Sequence, residues 1–205
     1  MFSLAFSDVG ISTMNRYTFL LKSEELNSIT GVLSPVRKRF RRFTMWKICD
    51  YIFAYFEGST QDKECMLAEL DKLPEQVECL CLPGQMTVMY ENLGFVSDRE
   101  EGLSYRVFAS RLKPGCAEEY RRRHAQIPPL PTDRESCERN WGIWLGDGCI
   151  FGYCELNMSL WKEPTEEDLR ETVEWETRQL EIMDWLTDDI DWLTGEHHTA
   201  AQRIL

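Results

Sequence analysis

Two short stretches of this chain read almost the same. Residues 51–57 and 149–155 share Ile-Phe-(small)-Tyr-x-Glu in register, and each follows a Trp-x-Ile segment, Trp46-Lys47-Ile48 in one and Trp141-Gly142-Ile143 in the other. Lys22 and Lys113 each follow an apolar run and precede a helical stretch. The offset between the copies is 91 at Lys22/Lys113, 95 at Trp46/Trp141 and 98 at Phe53/Phe151, a drift that insertions in surface turns accommodate at little cost. The chain therefore reads as a duplication. Residues present in both copies report the fold, and residues present in only one are candidates for chemistry.

The order of predicted elements is the same twice over. In the first copy, residues 16–21 form a strand, a helix opens at Ser23-Glu24-Glu25 and runs past Pro35 towards Phe43, and residues 45–49 and 51–57 form a tight hairpin. Ser59 then caps a helix over 63–73, and residues 86–90 close the unit after the Pro83-Gly84 turn. The polar segment 91–102 reads as a linker, and residues 1–14 as a loose arm. The second copy repeats the series: strand 105–112, helix 116–126, strand 140–145, a Gly146-Asp147-Gly148 hairpin turn and strand 149–156. A long helix from Pro164 to about Leu193 and a last short strand over 201–205 complete it.

Each copy is thus β-α-β-β-α-β, the ferredoxin-like unit of the α+β class, with boundaries at 15–93 and 103–205. Such a unit carries helices on one sheet face only, and its other face needs a partner. Two tandem repeats supply it within one chain, as two four-stranded sheets facing each other in an intrachain dimeric α/β barrel. A higher oligomer stays open.

Composition narrows the function. The net charge of −12 is concentrated in residues 101–205, which hold 12 basic and 21 acidic side chains; such a field disfavours nucleic acid and anionic membranes. The run Arg37-Lys38-Arg39-Phe40-Arg41-Arg42 reads as the exposed face and last turn of a helix. No run of 18 or more apolar residues and no secretory leader is evident. Cys49, Cys149 and Cys154 fall inside apolar strand patterns, as buried thiols do in a reducing compartment, so a cytoplasmic location is expected. Cys79-Leu80-Cys81 lacks zinc spacing, and no metal or other cofactor is expected.

Of three histidines, His197 and His198 fall in a turn-like segment after Gly195, whereas His124 stands four residues after Tyr120 on a short helix, so both leave one face. The segment from Leu112 to Pro129, LKPGCAEEYRRRHAQIPP, resembles the start of the L-rhamnose mutarotases, with their strand, Pro-containing turn and E-E-Y-x-x-R-H-x-x-I-x-P. Asn140-Trp141-Gly142-Ile143-Trp144-Leu145 is similar to the N-Y-x-I-Y-L of that family, and residues 149–155 to its L-F-x-x-x-E strand. The resemblance covers residues 105–192. It implies a sugar epimerase that interconverts the α and β anomers of a monosaccharide, with His124 as the catalytic proton donor and Tyr120 and Trp141 lining the sugar pocket. The Trp pair of the family's second helix is half matched, by Trp185 followed by Leu186, and the aromatic before its Pro is replaced by Pro128.

The chemistry suits these residues. Anomer interconversion needs proton transfers and no redox step, a His can exchange protons near neutrality, and an aromatic face stacks on the C–H face of a pyranose. The residues do not choose a base. Trp46 and Trp141 share a place in the two copies, so core packing competes with sugar contact there, and Trp175, Trp185 and Trp192 read as a helix stripe. In the first copy Ile29 and Leu33 stand opposite Tyr120 and His124, leaving one pocket per chain. The competing reading is a non-enzymatic sugar-binding or structural relative, and a third is an oxygenase-like barrel.

Overall fold

The computed structural model describes residues 14–96, 102–187 and 200–205. Residues 1–13, Trp192, His197 and His198 lie outside the described residues, and with them the expected arm and histidine pair. The first half forms β1 (Asn15–Lys22), α1 (Leu26–Leu33), β2 (Arg41–Ile48), β3 (Tyr51–Gly58), α2 (Thr60–Leu70), β4 (Glu78–Cys81) and β5 (Thr87–Asn92). The second forms β6 (Leu103–Leu112), α3 (Ala117–His124), β7 (Glu138–Gly146), β8 (Cys149–Asn157), α4 (Glu166–Leu180), β9 (Met183–Thr187) and β10 (Gln202–Arg203). None of these helices is long and apolar enough to cross a membrane.

Local chemistry sets the boundaries. Ser59 with Asp62 and Thr165 with Asp168 form reciprocal capping boxes that start α2 and α4. Asp147 and Gly148, at φ 50° and 70°, supply the left-handed pair that a two-residue hairpin turn requires. Two expected helices are shorter than their sequence pattern. Past Pro35 the chain makes one 3₁₀ turn and enters β2, so Phe43 is a strand residue. The last helix ends at Leu180 rather than near Leu193. There the Lys113 ammonium donates to the carbonyls of Leu180 and Glu181, and Ile182 and Met183 turn into the core, so Trp185 belongs to a strand.

The strands build two antiparallel sheets of five, ordered β10-β2-β3-β1-β4 and β5-β7-β8-β6-β9, where four each had been expected. The extra strands exchange partners. β5, from the first half, pairs with β7 in the second sheet, and β10, late in the chain, pairs with β2 in the first. The strand completing the first sheet beside β1 is β4, a short, largely exposed stretch that contains Cys79-Leu80-Cys81.

β3 is buried along its whole length and β8 along most of it, because each lies between a helical layer and the opposite sheet. Across the inter-sheet core, the repeated residues meet their own counterparts. Phe53 stacks on Phe151 with centroids 5.5 Å apart, and Tyr55 on Tyr153 at 4.2 Å. Trp46 pairs with Phe53 and Trp144 with Phe151, so the partner of Trp46 is Trp144. The sequence alignment with Trp141 was displaced by three residues, and Trp141 does not share the inner-core position.

Beside these stacks lies a buried polar cluster. β2 and β7 each carry an irregularity, between Arg41 and Thr44 and between Arg139 and Gly142, and Arg42 and Asn140 there adopt φ of 52° and 50°. Both residues thereby turn into the core, as bulges re-aim a side chain. Arg42 donates to Glu155 at 2.6 Å and to Glu57 at 3.1 Å, while Asn140 Nδ2 reaches Glu57 and Glu155 at 2.9 and 3.0 Å. Arg139 holds the other oxygen of Glu155 and Arg41 stands 3.3 Å from Glu57. Burial works against the Arg42 charge, but the two carboxylates outweigh it and raise its pKa. The expectation that the basic run is solvent-facing therefore fails at Arg42, 5% exposed.

Outside the first sheet, Ile29 and Leu33 of α1 are fully buried among Phe19, Phe43 and Phe56. In the second half the corresponding residues, Tyr120 and His124, are also buried but line a cleft.

Candidate active site

α3 and α4 cover the outer face of the second sheet. Between them and the sheet lies a cleft of about 670 Å³, within the span of about 300–1,000 Å³ usual for small-ligand sites. β6 contributes Arg106 and Phe108, α3 Tyr120 and His124, β7 Trp141, α4 Trp175, Glu176 and Gln179, and β9 Met183 and Trp185. All four residues singled out from the sequence, His124, Tyr120, Trp141 and Trp185, thus border one space. Trp185 reaches it from β9, where it pairs with Ser110, and not from a helix.

Spacing along α3 explains the pairing of Tyr120 and His124. One turn apart, their rings stack at 4.0 Å and 25°. Trp175 meets the imidazole edge-on at 5.2 Å and Tyr90 of β5 approaches at 5.4 Å, so a residue from the first half backs the histidine of the second. His124 is 4% exposed. Its Nδ1 lies 3.0 Å from the Tyr120 carbonyl oxygen; a carbonyl only accepts, so Nδ1 carries the proton and Nε2 has the free lone pair. Burial draws the imidazole down from 6.5 to about 4, opposed by that hydrogen bond, and the ring is neutral near pH 7. In this tautomer Nε2 accepts, so the donor role that the resemblance implies for His124 requires a proton to be taken up there first. Burial, assisted by the nearby Glu176 carboxylate, pushes the Tyr120 phenol well above its usual value.

Several polar atoms of the wall have no protein partner. The indole N–H groups of Trp141 and Trp185 and both amide atoms of Gln179 are buried without a hydrogen bond, an arrangement that costs about 1–3 kcal/mol per group. These atoms belong to residues that line the cleft. Trp175, Glu176 and Gln179 were not anticipated. With Asp168 and Thr172 they form one face of α4 at helical spacing, a signal the acidic composition of that helix hides. Among the described residues, no group of three or more His, Cys, Asp or Glu side chains is placed to hold a metal ion.

The elements and the site together define an α+β protein with two antiparallel sheets and four helices among the described residues, of the ferredoxin-like kind. Residues 106–202 match the L-rhamnose mutarotase family. Over that segment the chain carries the family's sequence pattern. Among curated proteins no relative matches the chain. Two solved structures of proteins assigned as monooxygenases are similar at 7% identity. One, from Fusobacterium nucleatum, covers 85% of this chain and 92% of its own with a TM-score of 0.41. The other, from Lactobacillus acidophilus, covers 82% and 89% with a TM-score of 0.39.

Proposed function

We propose that this protein is a mutarotase-like sugar epimerase that interconverts the anomers of a monosaccharide in the cleft beside His124. The observation that carries the reading is the wall itself: a neutral imidazole caged by aromatic rings, next to unpartnered donors and acceptors on Trp141, Trp185 and Gln179. A sugar offers matching chemistry, hydroxyls for those polar atoms and an apolar ring face for the aromatics.

In the proposed mechanism one histidine serves both oxygens. The anomeric hydroxyl and the ring oxygen are bonded to the same carbon, so a single Nε2 reaches both in turn. His124 takes the hydroxyl proton as the bond from the anomeric carbon to the ring oxygen breaks and the carbonyl forms. It then returns that proton to the former ring oxygen, leaving the open-chain sugar. Rotation of the aldehyde and reversal of the steps give the other anomer. Tyr120, Trp141 and Trp185 hold and orient the sugar.

The two halves are tandem ferredoxin-like repeats paired as an intrachain barrel, supported by the Phe53–Phe151 and Tyr55–Tyr153 stacks. The unit at 15–93 is structural and that at 103–205 catalytic, supported by the apolar packing of Ile29 and Leu33. A cytoplasmic setting is supported by eight unpaired cysteines.

The test is exchange NMR with L-rhamnose. Wild-type protein should accelerate exchange between the anomeric protons, and His124→Ala should lower the rate by about 100-fold or more, the scale of general acid–base catalysis, with circular dichroism unchanged. Equal rates for both proteins remove His124 from the reaction. Binding without exchange favours the non-enzymatic alternative.

A further inference from the structure

We propose that the cleft continues into a second sugar subsite, and that the preferred substrate is a reducing disaccharide or longer oligosaccharide whose end unit occupies the His124 cleft. The inference rests on the sugar-epimerase reading and extends it to substrate class.

Trp161 carries the argument. A tryptophan is highly buried on average, yet this one is 50% exposed. It lines both the His124 cleft and a groove of about 470 Å³ shared with Ser136, Glu138, Leu160 and Lys162. The residue is thus common to two spaces. The second offers what a glycosyl unit requires: a flat aromatic surface for the ring face, carboxylate and hydroxyl oxygens that accept from sugar hydroxyls, and an ammonium that donates to them.

The backbone that carries Trp161 is held by hydrogen bonds. The Asn157 N–H donates to the Cys137 carbonyl at 2.7 Å, tying this stretch to the groove's opposite wall, and its side chain accepts from Ser159. A single 3₁₀ turn follows, and the Trp161 N–H closes it onto the Met158 carbonyl. A backbone held before the ligand arrives lowers the part of the ordering cost that the main chain would bear. Carboxylates at the cleft rim, Asp168, Glu171 and Glu174, favour neutral sugars over phosphorylated ones.

Matched pairs test this: L-rhamnose against an α-1,3-linked rhamnose disaccharide, D-glucose against cellobiose, and D-mannose against mannobiose, each followed by exchange at the reducing-end anomeric proton. In at least one pair the disaccharide should show kcat/KM about five- to tenfold above the monosaccharide, the range of one aromatic stacking contact. Trp161→Ala should bring that ratio near one, and Trp161→Phe should restore part of it. Monosaccharide exchange with no disaccharide advantage, or an advantage that survives Trp161→Ala, overturns the subsite and leaves the epimerase reading standing. Wild-type protein that exchanges none of the six sugars overturns both.

Discussion

Replacing His124 with Gln should make the protein more resistant to acid than the wild type, relative to each protein's own stability at neutral pH. In the unfolded chain the imidazole titrates near 6.5 and in the folded protein near 4. Between those values the unfolded state holds more protons, so lowering the pH favours unfolding. The stability that neutral His124 contributes is complete above 6.5 and is lost as the pH falls towards 4. Going from about pH 7.5 to about pH 5, the two values give a loss of about 2 kcal/mol from this one group. A Gln amide keeps a donor for the Tyr120 carbonyl and does not titrate, so His124→Gln should lack that part of the loss. Urea unfolding followed by tryptophan fluorescence would read it as a wild-type midpoint that falls by roughly 1 M more than the variant's. Carboxylates and the other histidines titrate in both proteins and cancel in the difference. Parallel shifts in the two proteins would mean that His124 is ordinarily solvated when folded, and the neutral-base mechanism would lose its ground.

Two further outcomes follow from the same geometry. The exchange rate should rise with pH through about 4 and stay level through neutrality, since the neutral imidazole starts the reaction; a rate that falls over that range in a pH profile would assign His124 the donor role instead. Arg42→Leu should destabilise the fold by about 1–3 kcal/mol, because it removes a cation that bonds both buried carboxylates, and a urea midpoint equal to the wild type's would show that Arg41, Arg139 and Asn140 suffice to hold them.

The central hairpins were legible because a strand buried on both faces must be largely apolar, and residues 51–56 and 149–154 are, each run closed by a glutamate. α3 was legible through the one-turn spacing of Tyr120 and His124. What escaped was set by tertiary structure. The Trp46 register was misjudged because a Trp-x-Ile pattern occurs at Trp141 and a Trp three residues on at Trp144, and only the pairing with Phe53 and Phe151 chooses between them. The assignment of β5 to the opposite sheet depends on a partner strand some fifty residues away, which no local pattern encodes. α4 stops at Leu180 without a Gly or Pro, its carbonyls answered by the distant Lys113. Arg42 defeated the reading of the basic run because a left-handed residue within a strand inverts the side it faces. At the site, the aromatic and histidine positions were visible, whereas Gln179 and Trp175 acquire meaning only once α4 lies over β6 and β9.

The unlike pair at the centre of the two sheets has a consequence for symmetry. A barrel built from two identical chains must place the same side chain at both matching bulges: two arginines would crowd one small space with like charge, and two asparagines would leave each glutamate with its flanking arginine alone. Within one chain the two places are free to differ. Arg42 supplies the charge and Asn140 the compact bridge, and both engage Glu57 and Glu155 together. The centre of the molecule is thus asymmetric, one bulge bringing a charge and the other an amide to the same two carboxylates.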